Sequence, residues 1–398
     1  MKLLVVCQYF YPEQFKINDI CFELVKNGHK VTVLTGLPNY PTGVIPKEYR
    51  WLQRRHENIN GVQVIRSTLI ARGKGKLRLA LNYLSFALFA SIKSLFLRKD
   101  FDAILVWQLS PITMALPALL LKNITGKPLY LYCQDLWPES VAGVGIGQES
   151  LVYKILLFIS RYIYGKANKI AISSQLFEKY FSEVIGISNN ITYLPVYAES
   201  IFDNIAETND ESVKNNLVFA GNIGAMQSVE TIIQAAHQLR NHKDIVFHIV
   251  GDGSNRANCE KTAHELGLEN IIFYGQRPIT EMPDFYAMAD AFLITLKAIK
   301  EISYTLPNKV QSYMAAGKPI IGAIDGETRL VIESARCGFC CAAEDDNSLA
   351  ELIERFVADK EAHLTMGNNA RKYYQENFNK ETFMNNLAHF LEFTSLGF

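Results

Sequence analysis

The strongest indication of the fold is Thr305-Leu-Pro-Asn-Lys-Val-Gln-Ser-Tyr-Met-Ala-Ala-Gly-Lys-Pro-Ile-Ile321. It follows the strand-like run Ala291–Thr295, and Pro307 suits the first turn of a helix. The apolar residues that close the stretch belong to a further predicted strand, Pro319–Gly322. A strand, a helix and a second strand in this order predict a parallel sheet with crossover helices.

A second informative stretch, Tyr132-Cys-Gln-Asp-Leu-Trp-Pro-Glu-Ser140, lies in the other half of the chain and also follows an apolar, strand-like run. Doubly wound sheets bind their ligands beyond the carboxyl ends of the strands. Polar loops after strands in both halves therefore predict an α/β protein with two Rossmann-like, doubly wound domains that face a central cleft.

The composition is that of a folded protein with two domains. Of the 398 residues, 49% are hydrophobic and 20% are charged, which allows two buried cores. Forty Lys and Arg balance forty Asp and Glu. No overall electric field therefore favours nucleic acid, and an anionic ligand must be held by local geometry.

The seven cysteines favour buried thiols in a reducing compartment, because Cys7, Cys21 and Cys133 lie in or beside apolar segments. The cytoplasm is the expected location. The group Cys337-x-x-Cys340-Cys341 has no second Cys or His pair at the spacing of a zinc finger, so packing is its expected role and no metal site is predicted.

Two apolar segments resemble membrane elements but are predicted to be part of the folded domain. The run at the N-terminus ends in Tyr-Phe-Tyr-Pro without a cleavage site, which indicates a first strand rather than a signal peptide. The uncharged run 103–121 is interrupted by Gln108, Ser110, Pro111 and Pro117. These residues predict a strand, a turn and a helix rather than a membrane span.

The polar, acidic and aperiodic segment 199–216 predicts the linker between the two domains. The predicted domains are residues 1–198 and 217–378, and a C-terminal helix within 379–398 is expected to cross back to the first domain. The other predicted strands are Leu3–Cys7, Val31–Thr35, Val62–Arg66, Ala103–Trp107, Leu129–Cys133, Lys169–Ile172, Leu217–Ala220, Val246–Val250 and Ile271–Tyr274. The predicted helices are Ile17–Lys26, Leu79–Leu97, Ile112–Leu121, Leu151–Lys166 and Lys380–Phe393.

Small residues after the strand 217–220 predict a loop in which backbone amides approach a phosphate. Gly221-Asn-Ile-Gly224 lies between that strand and a helix that begins near Ser228. The loop lacks the full Gly-x-Gly-x-x-Gly pattern, and a plain tight turn is the alternative. Gly251-Asp-Gly-Ser254 is a similar turn, in which Asp252 could cap the next helix.

Lys309 is the leading candidate to bind a diphosphate. It lies in the first turn of the helix predicted after Pro307, where the amides of the helix N-terminus already attract an anion. Ser312 lies one turn further along and could contact a ribose hydroxyl from the same face. A solvated surface lysine is the alternative for Lys309.

Carboxylates predict an acceptor site in the first domain. Asp135 ends an apolar strand and could orient or deprotonate a hydroxyl nucleophile, while Glu139 could bind a sugar hydroxyl. The alternatives are a helix N-cap for Asp135 and a packing role for Trp137. Glu13 and Asn18 offer the same kinds of group from the first strand–helix loop, or cap the first helix.

A basic, apolar region precedes the middle of the first domain. Between Arg66 and Lys99 there are eight Lys or Arg and no acid, around an apolar, aromatic run at 79–92. Basic flanks around such a helix are typical of a segment in the interface of an anionic membrane. A buried domain helix with basic ends is the alternative. Region 66–99 is predicted to contact the inner face of the cell membrane peripherally.

With these loops in place, nearly the whole chain resembles the GT-B glycosyltransferases of family 4, which are retaining nucleotide-sugar enzymes. Within that family it resembles the bacterial surface-polysaccharide branch typified by the N-acetyl-L-fucosaminyl transferases. The motifs that carry the resemblance are Gln8-Tyr-Phe-Tyr-Pro-Glu-Gln-Phe-Lys-Ile-Asn-Asp19, Leu34-Thr-Gly-Leu-Pro-Asn-Tyr-Pro-Thr-Gly43, Gln134-Asp-Leu-Trp-Pro-Glu-Ser140, Phe219-Ala-Gly-Asn-Ile-Gly224 and Pro307-Asn-Lys-Val-Gln-Ser-Tyr-Met-Ala-Ala-Gly-Lys-Pro319.

The resemblance implies a nucleotide-sugar donor bound by the second domain, an acceptor bound by the first, and no metal. It implies that Gly275 and Arg277 hold the uracil of a UDP-sugar, and that Gly221–Gly224 forms the sugar-phosphate loop. The further donor-binding positions are Asn222, Gln227, Gly251, Glu301, Pro307, Asn308 and Ser312. The acceptor-binding positions are Glu13, Asn18, Asn39, Tyr40, Trp137 and Glu139.

The chain departs from the family pattern at three places. Asn222 and Gln227-Ser228 stand where the family commonly has an Arg and a Lys-Gly, so Lys309 is the leading remaining cation. Tyr304 and Ser312 stand where the family has two glutamates, and Glu301 is the candidate substitute. Gln134 stands where the acceptor domain often has a histidine, which leaves Asp135 as the titratable group.

The mechanism implied is retaining transfer, in which Lys309 and helix amides stabilise the leaving diphosphate while an acceptor hydroxyl attacks from the same face. Closure of the domains would exclude water. The implied reaction (EC 2.4) moves an N-acetylated deoxy-amino sugar such as L-FucNAc to a polyprenyl-diphosphate-linked saccharide in O-antigen or capsule biosynthesis.

Three other functions are alternatives to sugar transfer. An NAD(P) oxidoreductase would have Gly-x-Gly-x-x-Gly after the first strand, where this chain has Gln8-Tyr-Phe-Tyr-Pro12. A GT-B nucleotide-sugar epimerase shares the fold but has little use for a basic helix that faces lipid. A non-catalytic sugar-binding relative is the third alternative, because the family's paired glutamates are missing.

Overall fold

A computed structural model describes residues 1–203, 205 and 214–392, with the side chains of 142–144 and 360–362 excepted. The described residues divide into two compact units. The first contains Met1–Ser173, Phe177–Leu194 and the residues from Met384 onward, and the second contains Ser174–Leu176 and Pro195–Phe383. Half of the predicted linker 199–216, namely 204 and 206–213, lies outside the described residues.

The first unit is built on one sheet with β1 at its centre. The strands are β1 (Lys2–Val6), β2 (Lys30–Thr35), β3 (His56–Ile59), β4 (Val62–Arg66), β5 (Ala103–Gln108), β6 (Leu129–Cys133), β7 (Lys169–Ile172) and β8 (Ile191–Tyr193). Their spatial order is β3-β4-β2-β1-β5-β6-β7-β8, and the pairs are parallel except β3–β4. Val5 lies opposite Val33 and Leu105, and the apolar run of β1 is buried on both faces, as expected of a strand covered by helices.

Helices connect these strands and cover the sheet. They are α1 (Lys16–Lys26), α2 (Lys76–Leu95), α3 (Leu116–Thr125), α4 (Leu151–Lys166) and α5 (Phe177–Tyr180), with 3-10 turns at Lys47–Tyr49, Ile112–Ala115 and Glu139–Val144 and a π turn at Phe181–Ile185. α3 packs against both α2 and α4. The three helices lie on one face of the sheet, because right-handed crossovers that advance in one direction keep to one side.

The second unit repeats this plan with a six-stranded parallel sheet among its described residues. The strands are β9 (Asn215–Ala220), β10 (Ile245–Val250), β11 (Ile271–Gly275), β12 (Ala291–Thr295), β13 (Ile320–Ala323) and β14 (Gly338–Cys341), in the spatial order β11-β10-β9-β12-β13-β14. The helices are α6 (Val229–Gln238), α7 (Arg256–Glu265), α8 (Met282–Met288), α9 (Lys300–Ser303), α10 (Lys309–Ala315), α11 (Glu327–Ala335), α12 (Asp346–Ala358), α13 (Lys360–Asn377) and α14 (Lys380–Phe390).

Alternate side chains of β9 enter two separate cores, one on each face of the sheet. Val218 and Ala220 pack with α10 and α13, whereas Leu217 and Phe219 pack with α6, α7 and α12. This alternation is the two-residue period of a strand with both faces covered. Both cores together fix the position of the carboxyl end of β9, where the candidate site begins.

The structure confirms the predicted Rossmann-like class and adds details that the pattern did not show. β3, β8 and β14 were not predicted, because they are short and lie at or beside a sheet edge where the apolar signal is weak. The helix predicted at Ile112–Leu121 instead begins with a 3-10 turn and continues as α3 to Thr125. In the described part of the chain, no helix combines the length and the apolar character that crossing a bilayer requires.

The last helix, α14, begins in the second unit, and its residues from Met384 belong to the first. Within the first unit, the Phe390 ring lies 5.5 Å from that of Tyr130, and Glu392 pairs with Lys169 at 2.8 Å. These contacts attach the described end of the chain to β6 and β7.

Candidate functional site

Three glycine loops at the carboxyl ends of β9, β10 and β11 pack backbone against backbone. The Gly221 amide donates to Val250 O at 2.9 Å, and the Gly251 amide donates to Gly275 O at 2.9 Å. Gly251 has a φ of 142°, and a Cβ there would lie 1.8 Å from Gly221 O. Only glycine allows this approach, so Gly251 acts by placing the Gly221 loop.

The Asn222 side chain lies over the same loops. If Gly224 carried a Cβ, that atom would lie 2.7 Å from Asn222 Nδ2. A Cβ on Gly253 would lie 2.6 Å from Asn222 Oδ1. The Ile223 amide donates to Asp252 O at 2.8 Å, which joins the first two loops again. Asp252 does not cap α7, whose N-cap is Asn255, so the capping alternative fails.

Lys309 reaches the first of these loops from α10. Tyr313, one turn further along the helix, accepts from the Ala220 amide at 2.9 Å and donates to Ala220 O at 3.0 Å. Its ring stacks on Phe292 at 3.9 Å. Because positions i and i+4 share a helix face, this anchor holds Lys309 beside Gly221, where its Nζ lies 3.0 Å from the position of a Cβ.

The ammonium of Lys309 has neutral partners. Its Nζ donates to Gln227 Oε1 at 2.9 Å and lies 4.0 Å from the centre of the Phe219 ring. Burial lowers the pKa of Lys309 to about 7, although part of its side chain stays accessible. A cation that is costly to bury and lacks a carboxylate is ready to receive an anion.

The other cations at these strand ends have acidic partners. Lys297 pairs with Glu344 at 2.6 Å, Arg256 with Glu260 at 2.7 Å, and Arg277 with Glu281 at 3.6 Å. Across residues 1–203, 205 and 214–392, no carboxylate lies within ion-pair distance of Lys309. The surface-lysine alternative therefore fits the structure poorly.

The remaining predicted donor residues differ in their surroundings. Arg277 is exposed and donates to Tyr274 O at 3.1 Å, close to Gly275. Ser312 is buried, with its hydroxyl 3.4 Å from Asn308 O, and so turns toward its own helix. Glu301 lies on α9, half-buried, and Pro307 and Asn308 immediately precede α10.

The Asp135 carboxylate in the first unit is fixed by Ser110. Its Oδ2 accepts from the Ser110 amide at 3.0 Å and from the Ser110 hydroxyl at 2.9 Å. The Trp137 indole donates to the same hydroxyl at 3.0 Å. Burial raises the pKa of Asp135 and the Ser110 bonds oppose that rise, so the carboxylate is held by Ser110 rather than used as a helix N-cap.

A second carboxylate, Glu13, lies at the ends of β1 and β2. Its Oε1 accepts the amides of Asn39 at 2.8 Å and Tyr40 at 2.6 Å, and Asn18 Nδ2 donates to Glu13 O at 2.7 Å. Burial raises the pKa of Glu13 to about 7 against these bonds. Four predicted acceptor residues therefore meet in one cluster.

Glu139 belongs to a different set of contacts. Its carboxylate accepts from the Tyr153 hydroxyl and from Gln148 Nε2 at 3.2 Å. These partners attach the 3-10 turn at 139–144 to the start of α4. The observed contacts are thus structural, and they could not be predicted from the sequence because Tyr153 is fourteen positions away.

Residues 201–373 match the family model described as glycosyl transferases group 1. This part of the chain is similar to the group 1 glycosyltransferases. The protein is accordingly an enzyme of the transferase class.

Relatives of this glycosyltransferase cover most of its length. WcaI of Escherichia coli (strain K12), named as a colanic acid biosynthesis glycosyl transferase, is 25% identical over 408 residues, which cover 96% of this chain and 97% of the relative. The glycosyltransferase WbjE of Pseudomonas aeruginosa is 25% identical over 276 residues, which cover 66% of this chain and 67% of the relative.

Solved structures show the same fold for the glycosyltransferase. Anabaena HepE in complex with UDP and glucose has a TM-score of 0.71 at 17% identity, covering 99% of this chain and 100% of that chain. WaaG, a glycosyltransferase involved in lipopolysaccharide biosynthesis, has a TM-score of 0.69 at 15% identity, covering 99% and 100%. Two Rossmann-like domains of the GT-B class are thereby confirmed.

Several residues around the glycosyltransferase sites were not foreseen. Ser110 and Tyr313 position Asp135 and Lys309, and Arg256 lies against Gly275, its Nη1 2.8 Å from the position of a Cβ there. Arg256 follows the second glycine loop directly, so its place near a loop was readable, but the contact with Gly275 depends on the register of β10 and β11.

Proposed function

We propose that this glycosyltransferase moves a sugar from a UDP-sugar, with retention, to a polyprenyl-diphosphate-linked saccharide in O-antigen or capsule biosynthesis. The names of the relatives support this role, since WcaI is named for colanic acid biosynthesis and WaaG for lipopolysaccharide biosynthesis. HepE was solved with UDP and glucose, which supports a UDP-sugar donor. The motif resemblance supports an N-acetylated deoxy-amino sugar such as N-acetyl-L-fucosamine.

The placement of Lys309 at the Gly221 loop carries the proposal. When the bond between the sugar and the diphosphate breaks, negative charge grows on the leaving oxygen, and a fixed cation beside it lowers the barrier. Lys309 is held in place by Tyr313, and no carboxylate in the described residues neutralises its charge. It lies beside Gly221, whose backbone conformation only glycine adopts readily. One protein cation in this position supports a transfer that requires no metal.

The acceptor is proposed to bind the first unit. Asp135 is positioned by Ser110 to accept a hydrogen bond from the attacking hydroxyl, which orients it and increases its negative charge. The cluster of Glu13, Asn39 and Tyr40 offers further groups for sugar hydroxyls.

Exposed apolar side chains support peripheral binding to the inner face of the cell membrane. On α2, six exposed residues follow a helical spacing along one stripe. They are Leu77, Leu81, Leu84, Leu88, Ile92 and Leu95. The exposed cations Lys74, Lys76 and Arg78 lie at its start, which matches an anionic lipid surface.

α4 carries a second exposed stripe of the same kind. Leu151, Ile155, Phe158 and Tyr162 recur at helical spacing, and Phe158 is 73% exposed. Because α3 packs against both helices on one face of the sheet, the two stripes belong to the same helical layer of the first unit. Region 66–99 is therefore proposed to share its membrane contact with α4.

A ligand series tests the donor half of the proposal. Thermal unfolding of the purified protein is followed with UDP, GDP, ADP and NAD, because a ligand that binds the native state raises the midpoint. A rise with UDP alone is expected, and an EDTA-treated sample should give the same rise. A rise with NAD alone, or none with any nucleotide, would overturn the UDP-sugar assignment.

A further inference from the structure

Arg72 lies in the loop between β4 and α2, and side chains from two other elements fix its backbone. Its amide donates to Asn39 Oδ1 at 3.0 Å, and Asn82 Nδ2 donates to the same oxygen at 3.2 Å. Asn82 also donates to Ile70 O at 2.7 Å and accepts from Gln8 Nε2 at 2.7 Å. The loop that carries Arg72 is thus attached to the loop after β2 and to α2, and through Asn82 to Gln8 in the loop after β1.

The guanidinium group of Arg72 lies among phenol rings. Its central carbon is 5.4 Å from the centre of the Tyr40 ring, and that ring is 5.8 Å from Tyr9. The Arg72 charge acts on the hydroxyls of both Tyr9 and Tyr83 and opposes the burial that raises their pKa values. A partly exposed guanidinium therefore has hydroxyl groups beside it.

Arg72 has no carboxylate partner within the described ranges, whereas several other arginines have one. Arg66 bonds Glu57 at 2.9 Å, and Arg256 and Arg329 bond Glu260 and Glu333. Among the residues that the structure describes, no acidic side chain lies within 4 Å of the Arg72 guanidinium. Its positive charge is available to a ligand from solvent.

The surroundings of Arg72 connect it to the acceptor groups and to the apolar surface. Tyr83 is close enough to Asp135 for that carboxylate to raise the Tyr83 pKa, and Glu13 acts on Tyr9 in the same way. In the other direction, α2 and its exposed leucines begin four positions after Arg72. Arg72 therefore lies between the candidate base and the surface proposed to contact lipid.

We propose that Arg72 binds the diphosphate of the lipid-linked acceptor, with the hydroxyls of Tyr9 and Tyr83 as additional donors; this rests on the proposed function. A guanidinium offers two parallel N–H groups to phosphate oxygens, which fixes the orientation of the group as well as its position. The prenyl chain then leaves along α2 toward the membrane, and the saccharide points to Asp135.

A binding experiment tests this site. Binding of geranylgeranyl diphosphate, geranylgeraniol and inorganic diphosphate is measured in detergent micelles with saturating UDP, so that Lys309 is occupied. For geranylgeranyl diphosphate, Arg72→Gln is expected to raise Kd at least about tenfold, the cost of a lost charged hydrogen bond. Geranylgeraniol should bind both proteins equally, and inorganic diphosphate more weakly than the prenyl ligand.

A matched control separates Arg72 from general charge effects. Arg54 also lies over a tyrosine, 5.5 Å from the centre of the Tyr49 ring, so Arg54→Gln should leave Kd unchanged. Equal Kd values for the wild type and Arg72→Gln would overturn the assignment. So would equal binding of inorganic and prenyl diphosphate, because the site would then recognise a free anion.

Transfer assays distinguish this inference from the proposed function. If the wild type transfers sugar and Arg72→Gln keeps the same acceptor KM, the inference fails and the function stands. If the wild type transfers nothing but Arg72→Gln loses prenyl diphosphate binding, the site stands and the proposed function fails. The UDP-induced rise in melting temperature should be the same in both proteins.

Discussion

Lys309 Nζ donates to Gln227 Oε1 at 2.9 Å, so a neutral amide holds the cation at the first glycine loop. The family pattern commonly has a lysine where this chain has Gln227, and a second ammonium there would repel Lys309. The amide instead orients Lys309 without neutralising it. The cation thus keeps its capacity to bind an anion, at the cost of a lowered pKa.

Diphosphate binding should take up a proton at alkaline pH. Burial lowers the pKa of Lys309 to about 7, so the amine is mostly neutral at pH 8, and a bound anion raises that pKa again. Calorimetry of UDP binding at pH 8 in buffers of different ionisation enthalpy should show uptake approaching one proton, falling toward zero at pH 6. Lys309→Gln should abolish the uptake, while the exposed control Lys243→Gln should keep it. Binding at pH 8 without proton uptake would contradict this assignment.

Replacement of Asp135 by Asn should slow transfer without weakening UDP binding. Asn keeps the size and can retain a bond from Ser110, but it cannot act as a base, so kcat is expected to fall about 10²- to 10⁴-fold. The UDP-induced rise in melting temperature should not change. Ser110→Ala provides a second readout: loss of the hydroxyl bond, with the backbone amide bond kept, raises the Asp135 pKa further and should move the rising limb of the pH–kcat profile to higher pH. An unchanged pH–kcat profile would show that the Ser110 hydroxyl does not influence the pKa of Asp135.

The stability effect of Glu13 should depend on pH. Burial raises the Glu13 pKa to about 7, so between its ordinary value and 7 the folded state binds more protons than the unfolded state. The contribution of Glu13 to stability therefore falls as pH rises through this range. Glu13→Gln does not titrate and keeps an acceptor for Asn39 and Tyr40, so its melting temperature relative to the wild type should increase from pH 5 to pH 8. The exposed control Glu178→Gln should show a constant difference, and a constant difference for Glu13→Gln would refute the raised pKa.

A methyl group at Gly251 should destabilise the second unit. The Cβ of alanine would lie 1.8 Å from Gly221 O, at a φ that alanine rarely adopts. Strain of this kind costs about 2 to 3 kcal/mol, which lowers the melting temperature by about 5 °C or more. Gly165 in α4 has no atom within 4 Å of an added Cβ, so Gly165→Ala should be neutral or slightly stabilising. A Gly251→Ala protein with wild-type melting temperature would show that the two loops are not in contact.

Sequence patterns were sufficient for the parallel sheets and for the residue types at the strand ends. The apolar runs of β1 and β9 and the turn chemistry of Gly221–Gly224 are local, and local signals are readable from one sequence. Lys309 was predicted at the start of a helix for the same reason, because that placement is local. Its position beside Gly221 depends on the contact of Tyr313 with Ala220.

Contacts that join distant segments were not predictable. Ser110 meets Asp135 because β5 and β6 are neighbours in register, and Arg72 meets Tyr9 and Tyr40 through the packing of three loops. The separation of Glu139 from the other acceptor candidates likewise follows from its contact with Tyr153. Such positions depend on tertiary packing, which no local periodicity encodes.

Acidic substitutions on the exposed apolar stripe of α4 should weaken membrane binding, although no charge pattern in the sequence marks this helix. Ile155 and Phe158 are exposed apolar residues on one stripe, and burying each in the membrane interface removes apolar area from water. Co-sedimentation with phosphatidylglycerol vesicles should fall at least about tenfold for the Ile155→Glu/Phe158→Glu double variant, as it should for Leu84→Glu/Leu88→Glu on α2. Leu364 in α13 of the second unit is 69% exposed, close to the 73% of Phe158, so Leu364→Glu is a control matched for exposure and should bind vesicles as the wild type does. If the α4 variant sediments with vesicles as the wild type does while the α2 variant no longer sediments, the membrane-binding surface is confined to α2. If all variants sediment alike, the apolar surface binds another partner.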